Sequence, residues 1–400
     1  MRRISLRAAL LAMIAAPSFA WASTSCVDAE AAGRLAIEAQ HRLQNAPADK
    51  SDPDGESVSA QQRTEMRAFK DALVNAIDAR LSCSDARAQP DALQRALEAS
   101  FGVVKTPPAA DSSGTIGGAI NVSVTRNAAS KPLMLVRAGF GIPCGDDNLL
   151  VAYAWDGATW RRVLRWQSDN YDSISGAFGD TFQYAVLPGG QIAVAHGGPW
   201  CSSRWHNFGL DVLAPADDKQ AQRSLFHLDH AYAEDLDVTG GGLTLKARPD
   251  GFELRTSISP LDAELITRKA VYRYRVKGDT VERVQPAAIN GRDFVDAWLT
   301  VDDASARNWS DPHAADALLA ARQSLMASIK DHSKLLNYGP VRACASGKDR
   351  YQVEIGLQTK KPGDADTQYG VVRQERNGFT MLSLGEKPDP GCKGADLMAR

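Results

Sequence analysis

Residues 153–160 read Tyr-Ala-Trp-Asp-Gly-Ala-Thr-Trp, and residues 274–281 read Tyr-Arg-Val-Lys-Gly-Asp-Thr-Val. Each stretch sets aromatic and β-branched residues on both sides of a short turn containing Gly and Asp. Glycine takes a positive φ at little steric cost, so both stretches read as β-hairpins. Pro188-Gly189-Gly190 and Pro249-Asp250-Gly251 are links of the same kind.

Strand-like runs surround these turns. They fall at 119–126, 132–140, 148–155 and 160–166, then 181–187, 191–196, 205–213 and 224–230, then 243–247, 252–257, 270–276 and 280–284. Four runs recur in each span of roughly 50 residues, a period that suits propeller blades. Three such units do not close a ring of about 4–8 blades, so an antiparallel sandwich is the rival arrangement.

Upstream the period changes. Residues 27–45 are rich in alanine and straight-chain residues, with Leu35, Ala39 and Leu43 spaced for one helix face. Residues 46–59, with Pro47, Pro53 and Gly55, read as a loop. From 59 to 83, the positions of Met66, Phe69, Leu73, Ala76, Ile77 and Leu81 give an apolar helical stripe. Pro90 suits the first turn of a third helix ending near Gly102. Residues 105–118 hold prolines, serines and glycines and read as a linker.

Downstream, residues 293–299 form a short amphipathic pattern, Asp302-Asp303 reads as loop, and Asp311-Pro312 opens a helix expected to run to about Leu335. Strand runs follow at 341–345, 351–358, 368–374 and 379–384, with Asn377-Gly378 as a turn. This order matches that of a nuclear-transport-factor-2-like or cystatin-like cone, an analogy of element order alone. The expected fold is α+β in several segments. A helical hairpin comes first, a central antiparallel β region (propeller-like or sandwich) second, and a helix plus antiparallel meander last. The divisions fall at 1–22, 23–104, 105–118, 119–291 and 292–400.

Segment 1–22 has the three-part layout of a cleaved secretory signal: Arg2, Arg3 and Arg7, an apolar run at 8–16, then Ala20-Trp21-Ala22. The run is shorter than the ~20 residues a bilayer span needs, and no later stretch reaches that length. The expected location is therefore periplasmic or secreted. Six cysteines follow, an even number that reads as disulfides in an exported chain. The expected pairs are Cys26–Cys83, Cys144–Cys201 and Cys344–Cys392, each inside one segment. No metal or cofactor motif is present. With a formal charge of -2 and interspersed signs, no basic patch points to nucleic acid or to anionic membranes.

Candidate chemistry concentrates at 141–207. If Cys144 and Cys201 bond, Asp146, Asp147, His196, Ser202, Ser203, Arg204 and His206 share one neighbourhood. A serine, an imidazole and a carboxylate can form a hydrolytic relay, and two imidazoles with a carboxylate can hold zinc. Ser202 lacks the G-x-S-x-G elbow, and the histidines lack zinc-site spacing. The same residues suit a disulfide-tied pair of loops with polar caps. Trp200, Arg204 and Trp205 are candidate binding residues, while most of the tryptophans at 155–205 read as hairpin packing. His227-Leu228-Asp229-His230 reads as a solvated strand face. The favoured function is a non-catalytic binding module of the cell envelope, with a protein, peptide or polymer as partner. The alternative is an exported hydrolase with its site in the loops joined by Cys144 and Cys201.

Overall fold

The computed structural model describes residues 24–48, 58–103, 116–128, 132–142, 145–168, 182–197, 205–206, 208–217, 219–228, 236–237, 243–258, 260–262, 268–284, 288, 290–330, 334–345, 347–359, 365–376 and 378–398. The expected signal segment and most of the 46–59 loop and the 105–118 linker lie outside them. Among the described residues no helix is long and apolar enough to cross a membrane.

Three helices open the chain: α1 (Thr24–Gln44), α2 (Ala60–Ser82) and α3 (Pro90–Ser100). Ser59 caps α2 through a reciprocal box with Gln62, which satisfies two otherwise orphaned N–H groups. The α2 stripe is buried as expected. On α1 the buried line is Ala29, Ala36, Ala39 and Leu43, and Leu35 is exposed. A hundred degrees of rotation separates Leu35 from Ala36, so the close helix packing falls on the alanines.

The helices cover one face of a four-stranded antiparallel sheet, β1 (Ile120–Arg126), β2 (Leu133–Ile142), β3 (Gly145–Trp155) and β4 (Trp160–Gln167). Alternation sorts its side chains. Met134, Val136, Ala138 and Phe140 face the helices, and Leu133 and Leu135 face the next sheet. Both faces are covered, which is why β2 reads as a near-continuous apolar run. Polar ties fix α2 to this sheet. Lys70 Nζ donates to Asp147 Oδ2 at 2.9 Å and to the Ser168 carbonyl at 2.8 Å, with both side chains fully buried. Tyr153 donates to Asp78 at 2.6 Å, and Arg162 reaches the other oxygen of Asp78 at 2.7 Å. Burial, and then the neighbouring Asp78 charge, push the Tyr153 hydroxyl well above its usual range.

The second sheet is β5 (Gln183–Val186), β6 (Ile192–Gly197), β8 (Phe208–Ala214) and β9 (Arg223–Leu228). The run expected at 205–213 is split: β7 (Trp205–His206) leaves it to pair with β10 (Leu236–Asp237). The third sheet is β11 (Thr244–Arg248), β12 (Gly251–Ile258), β13 (Arg268–Lys277) and β14 (Thr280–Val284). Ile192, Val194 and Leu213 pack toward the first sheet, and Ala193, Ala195, Leu210 and Val212 pack toward Phe252, Leu254, Tyr272 and Tyr274 of the third. The three sheets thus stack face to face in chain order, blade on blade, instead of forming a two-layer sandwich. Gly157 (φ 104°) and Gly278 (φ 56°) hold the turn conformations that the hairpins at 153–160 and 274–281 require.

The last segment packs α4 (Gly291–Thr300), α5 (Asp303–Asn308) and α6 (Ala315–Lys330) on the meander β15 (Lys334–Ala343), β16 (Arg350–Thr359), β17 (Ala365–Glu375) and β18 (Gly378–Gly385). Helix α5 stands where a loop was expected. Asp302 caps it by accepting from Ser305 N at 2.8 Å. Helix α6 stops at Lys330, and Leu335 belongs to β15. The core joins Phe294, Val295 and Trp298 to Val353, Ile355, Val372 and Met381. Cys344 and Cys392 are disulfide-bonded and pin the chain end to the meander. Cys83 is also disulfide-bonded, and the side chains of Cys26, Cys144 and Cys201 lie outside the described residues. Asp296 of α4 ties this segment to the third sheet: it accepts from Leu261 N at 2.8 Å and from Arg268 Nε at 2.6 Å.

Candidate functional site

Strand direction sorts the connections of the sheet stack. The four longest within the three sheets, 168–182, 198–207, 229–243 and 259–267, all leave from one end. The links at 127–132, 156–159, 187–191, 215–222, 249–250 and 278–279 leave from the other. A rigid stack that gathers its long connections at one end offers that end for recognition.

A polar cluster sits between the first two sheets at this end. Asp211 of β8 faces the first sheet, and its side chain is only 11% exposed. Trp166 Nε1 of β4 donates to Asp211 Oδ2 at 2.7 Å. His227 Nδ1, directly cross-strand on β9, lies 2.7 Å from Oδ1, and His196 Nε2 of β6 lies 3.5 Å from Oδ2. Burial alone would raise the Asp211 pKa, yet the hydrogen bonds from His196, His227 and Trp166 hold it below the usual carboxylate range. An ionised carboxylate only accepts, so His227 donates to it through Nδ1. His227 is 57% exposed, and His196 is 21% exposed.

Packing fixes the rest. The His196 ring lies 5.0 Å from Trp166, which lies 5.1 Å from Phe182, and the Arg137 guanidinium stands 4.9 Å over Phe182. Gly209, the cross-strand partner of His196, makes room: a Cβ there would stand 2.4 Å from His196 Cε1 and Nε2.

The sequence-predicted residues separate. His196 belongs to the cluster. Asp147 does not: it is fully buried against Lys70 and ties a helix to the sheet. Asp146 is exposed at the start of β3, where its carbonyl accepts from Asn148 Nδ2 at 3.1 Å. Trp200, Ser202 and Arg204 lie outside the described residues. For Trp205 and His206 only the backbone pairing with Asp237 and Leu236 is described. His227 stands on an exposed strand face, as expected, and the buried Asp211 carboxylate holds its ring there. Asp211 and Trp166 were missed as site residues. The available signal was an acid between Leu210 and Val212 in an otherwise apolar strand.

Among the described residues no group of three His, Cys, Asp or Glu side chains is arranged to hold a metal ion. A second concavity, about 730 Å³, opens between α6 and the meander beside Ser324, Leu357, Tyr369 and Ser383. A Lys334–Asp366 ion pair is part of its lining.

No protein-family model and no curated protein matches the chain. Among solved structures the chain is similar to a thermostable family-43 glycoside hydrolase at 7% identity and a TM-score of 0.18, over 71% of this chain and 99% of that one. A likeness that slight carries no argument about fold or activity.

Proposed function

We propose that the chain is an exported, non-catalytic binding module of the cell envelope that takes its partner at the long-connection end of the sheet stack. The observation that carries this reading is the segregation of connections: the four longest leave from one end of the three-sheet stack, the end at which Asp211, His196 and His227 cluster. The partner is a protein, peptide or polymer of the envelope. Export rests on the signal layout of residues 1–22.

The test compares capture from envelope extract by the mature chain and two variants. One replaces 169–181 with a Gly-Ser segment, and the other replaces the opposite turns at 156–159 and 187–191. The reading expects capture to fail only in the first. Loss confined to the second would refute it.

Hydrolysis is a second reading with one specific support, the Asp211–His227 pair, which orients an imidazole as a relay base would need. Turnover of chromogenic ester, amide or glycoside substrates that His227→Ala abolishes would favour it over simple binding.

A further inference from the structure

The third sheet is the last layer of the stack, and its two faces differ sharply. Phe252, Leu254, Tyr272 and Tyr274 face the second sheet. Period-two alternation sends the intervening residues the other way. On that outer face β11 presents Lys246 and Arg248, β12 presents Arg255, and β13 presents Lys269, Arg273, Arg275 and Lys277. Glu253 and Glu282 are the strand carboxylates on the same face, and Asp250 in the β11–β12 turn stands 3.8 Å from Arg275. Seven cations against three anions gather at this sheet face of a chain whose formal charge is -2.

The face is organised. Glu253 accepts from Arg255 Nε at 2.7 Å and from Arg273 Nη2 at 3.0 Å, and Arg248 stands 3.8 Å away. These guanidiniums cover the carboxylate, whose side chain is 2% exposed, while Arg255 remains 59% exposed. One anion therefore fixes three guanidiniums and leaves them a net positive charge, with further N–H groups for an outside acceptor. Lys246, Lys269 and Lys277 are exposed and make no ion pair with a described residue.

We propose that this face attaches the protein peripherally to an anionic lipid surface. Three features select that occupant. The charges form a two-dimensional array across three strands, about 4.8 Å apart between strands and about 6.7 Å apart along them, where a linear polyanion would follow a single row. Among the described residues no aromatic side chain lies on the face, so bases and sugar rings have no stacking platform there. Few apolar side chains, such as Val271 and Val284, are there to insert. What remains is electrostatic contact with headgroups, which salt screens.

The test is co-sedimentation of the mature protein with phosphatidylglycerol–phosphatidylcholine vesicles and with pure phosphatidylcholine vesicles. Binding is expected to the first alone and to vanish at about 0.5 M salt. Lys246→Gln/Lys269→Gln/Lys277→Gln removes three charges that make no ion pair, and should weaken partitioning by roughly a hundredfold at about fivefold per charge. Its thermal unfolding should match the parent. The control triple Lys219→Gln/Lys387→Gln/Lys393→Gln should bind as the parent does. Equal binding to neutral vesicles, an unaffected Lys246/Lys269/Lys277 variant, or binding confined to heparin or a single-stranded oligonucleotide would each overturn the proposal.

Discussion

Replacing Lys70 with methionine isolates what the buried ion pair does for the fold. Lys70 and Asp147 are both fully buried, 2.9 Å apart at Nζ and Oδ2, and Lys70 also donates to the Ser168 carbonyl at 2.8 Å. At that separation the attraction is about 6 kcal/mol for an effective dielectric near 20. Desolvating the two ions costs several kcal/mol each, so the intact pair contributes little net stability. Removing one partner is different, because it leaves a buried charge uncompensated at a cost of about 3–5 kcal/mol. Lys70→Met should therefore lose about 3–5 kcal/mol, a large part of a typical 5–15 kcal/mol total. Lys70→Met/Asp147→Leu removes both charges and should recover to within about 1–2 kcal/mol of the parent. Urea unfolding of the oxidised mature protein, followed by far-ultraviolet circular dichroism at neutral pH, measures both quantities. A loss under about 1 kcal/mol for Lys70→Met, or a double variant no better than the single, would refute this account.

Other expectations rest on separate contacts. Asp211→Asn should cost about 1–3 kcal/mol at pH 7 by weakening three hydrogen bonds. The native Asp211 pKa lies below its unfolded value, so its stabilisation is complete above about pH 4. The difference between parent and variant should shrink as pH falls through the native pKa, and a difference that grows in acid would contradict the assignment. Gly209→Ala should displace the His196 ring and destabilise by about 1–3 kcal/mol, with most of the loss recovered in Gly209→Ala/His196→Ala. An additive pair of effects in thermal unfolding would show that the ring and the glycine are not coupled. Cys344→Ser/Cys392→Ser opens a link spanning 48 residues, worth about 4 kcal/mol in the chain-entropy model. Limited proteolysis should then cut within 386–398 before the strands, and a tail as resistant as the parent's would count against the staple.

The sequence by itself determined the order and kind of the elements. Hairpin turns with glycine at positive φ and the shift from helical to alternating periods are local properties, and local backbone sterics decide them wherever the segment lies. Misses came where one local signal had a rival, whether a neighbouring cap or a tertiary partner. Asp302-Asp303 looked like loop, yet Asp302 is a helix cap that Ser305 completes. Leu35 looked like core, but the packing partner selected the alanine line beside it.

Only the tertiary structure decided which distant residues share a site. Asp147 sits beside other polar loop residues in sequence, yet Lys70, 77 positions away, claims it. His227 is solvated, yet the β8–β9 pairing sets Asp211 opposite it, with Trp166 brought in from another sheet. The basic face was invisible as a run because apolar residues alternate with its cations from Arg268 to Lys277. Chain separation sets none of these juxtapositions. Alternation fixes which side of a strand each residue takes, and sheet stacking alone decides whether that side meets a helix, another sheet or the outside.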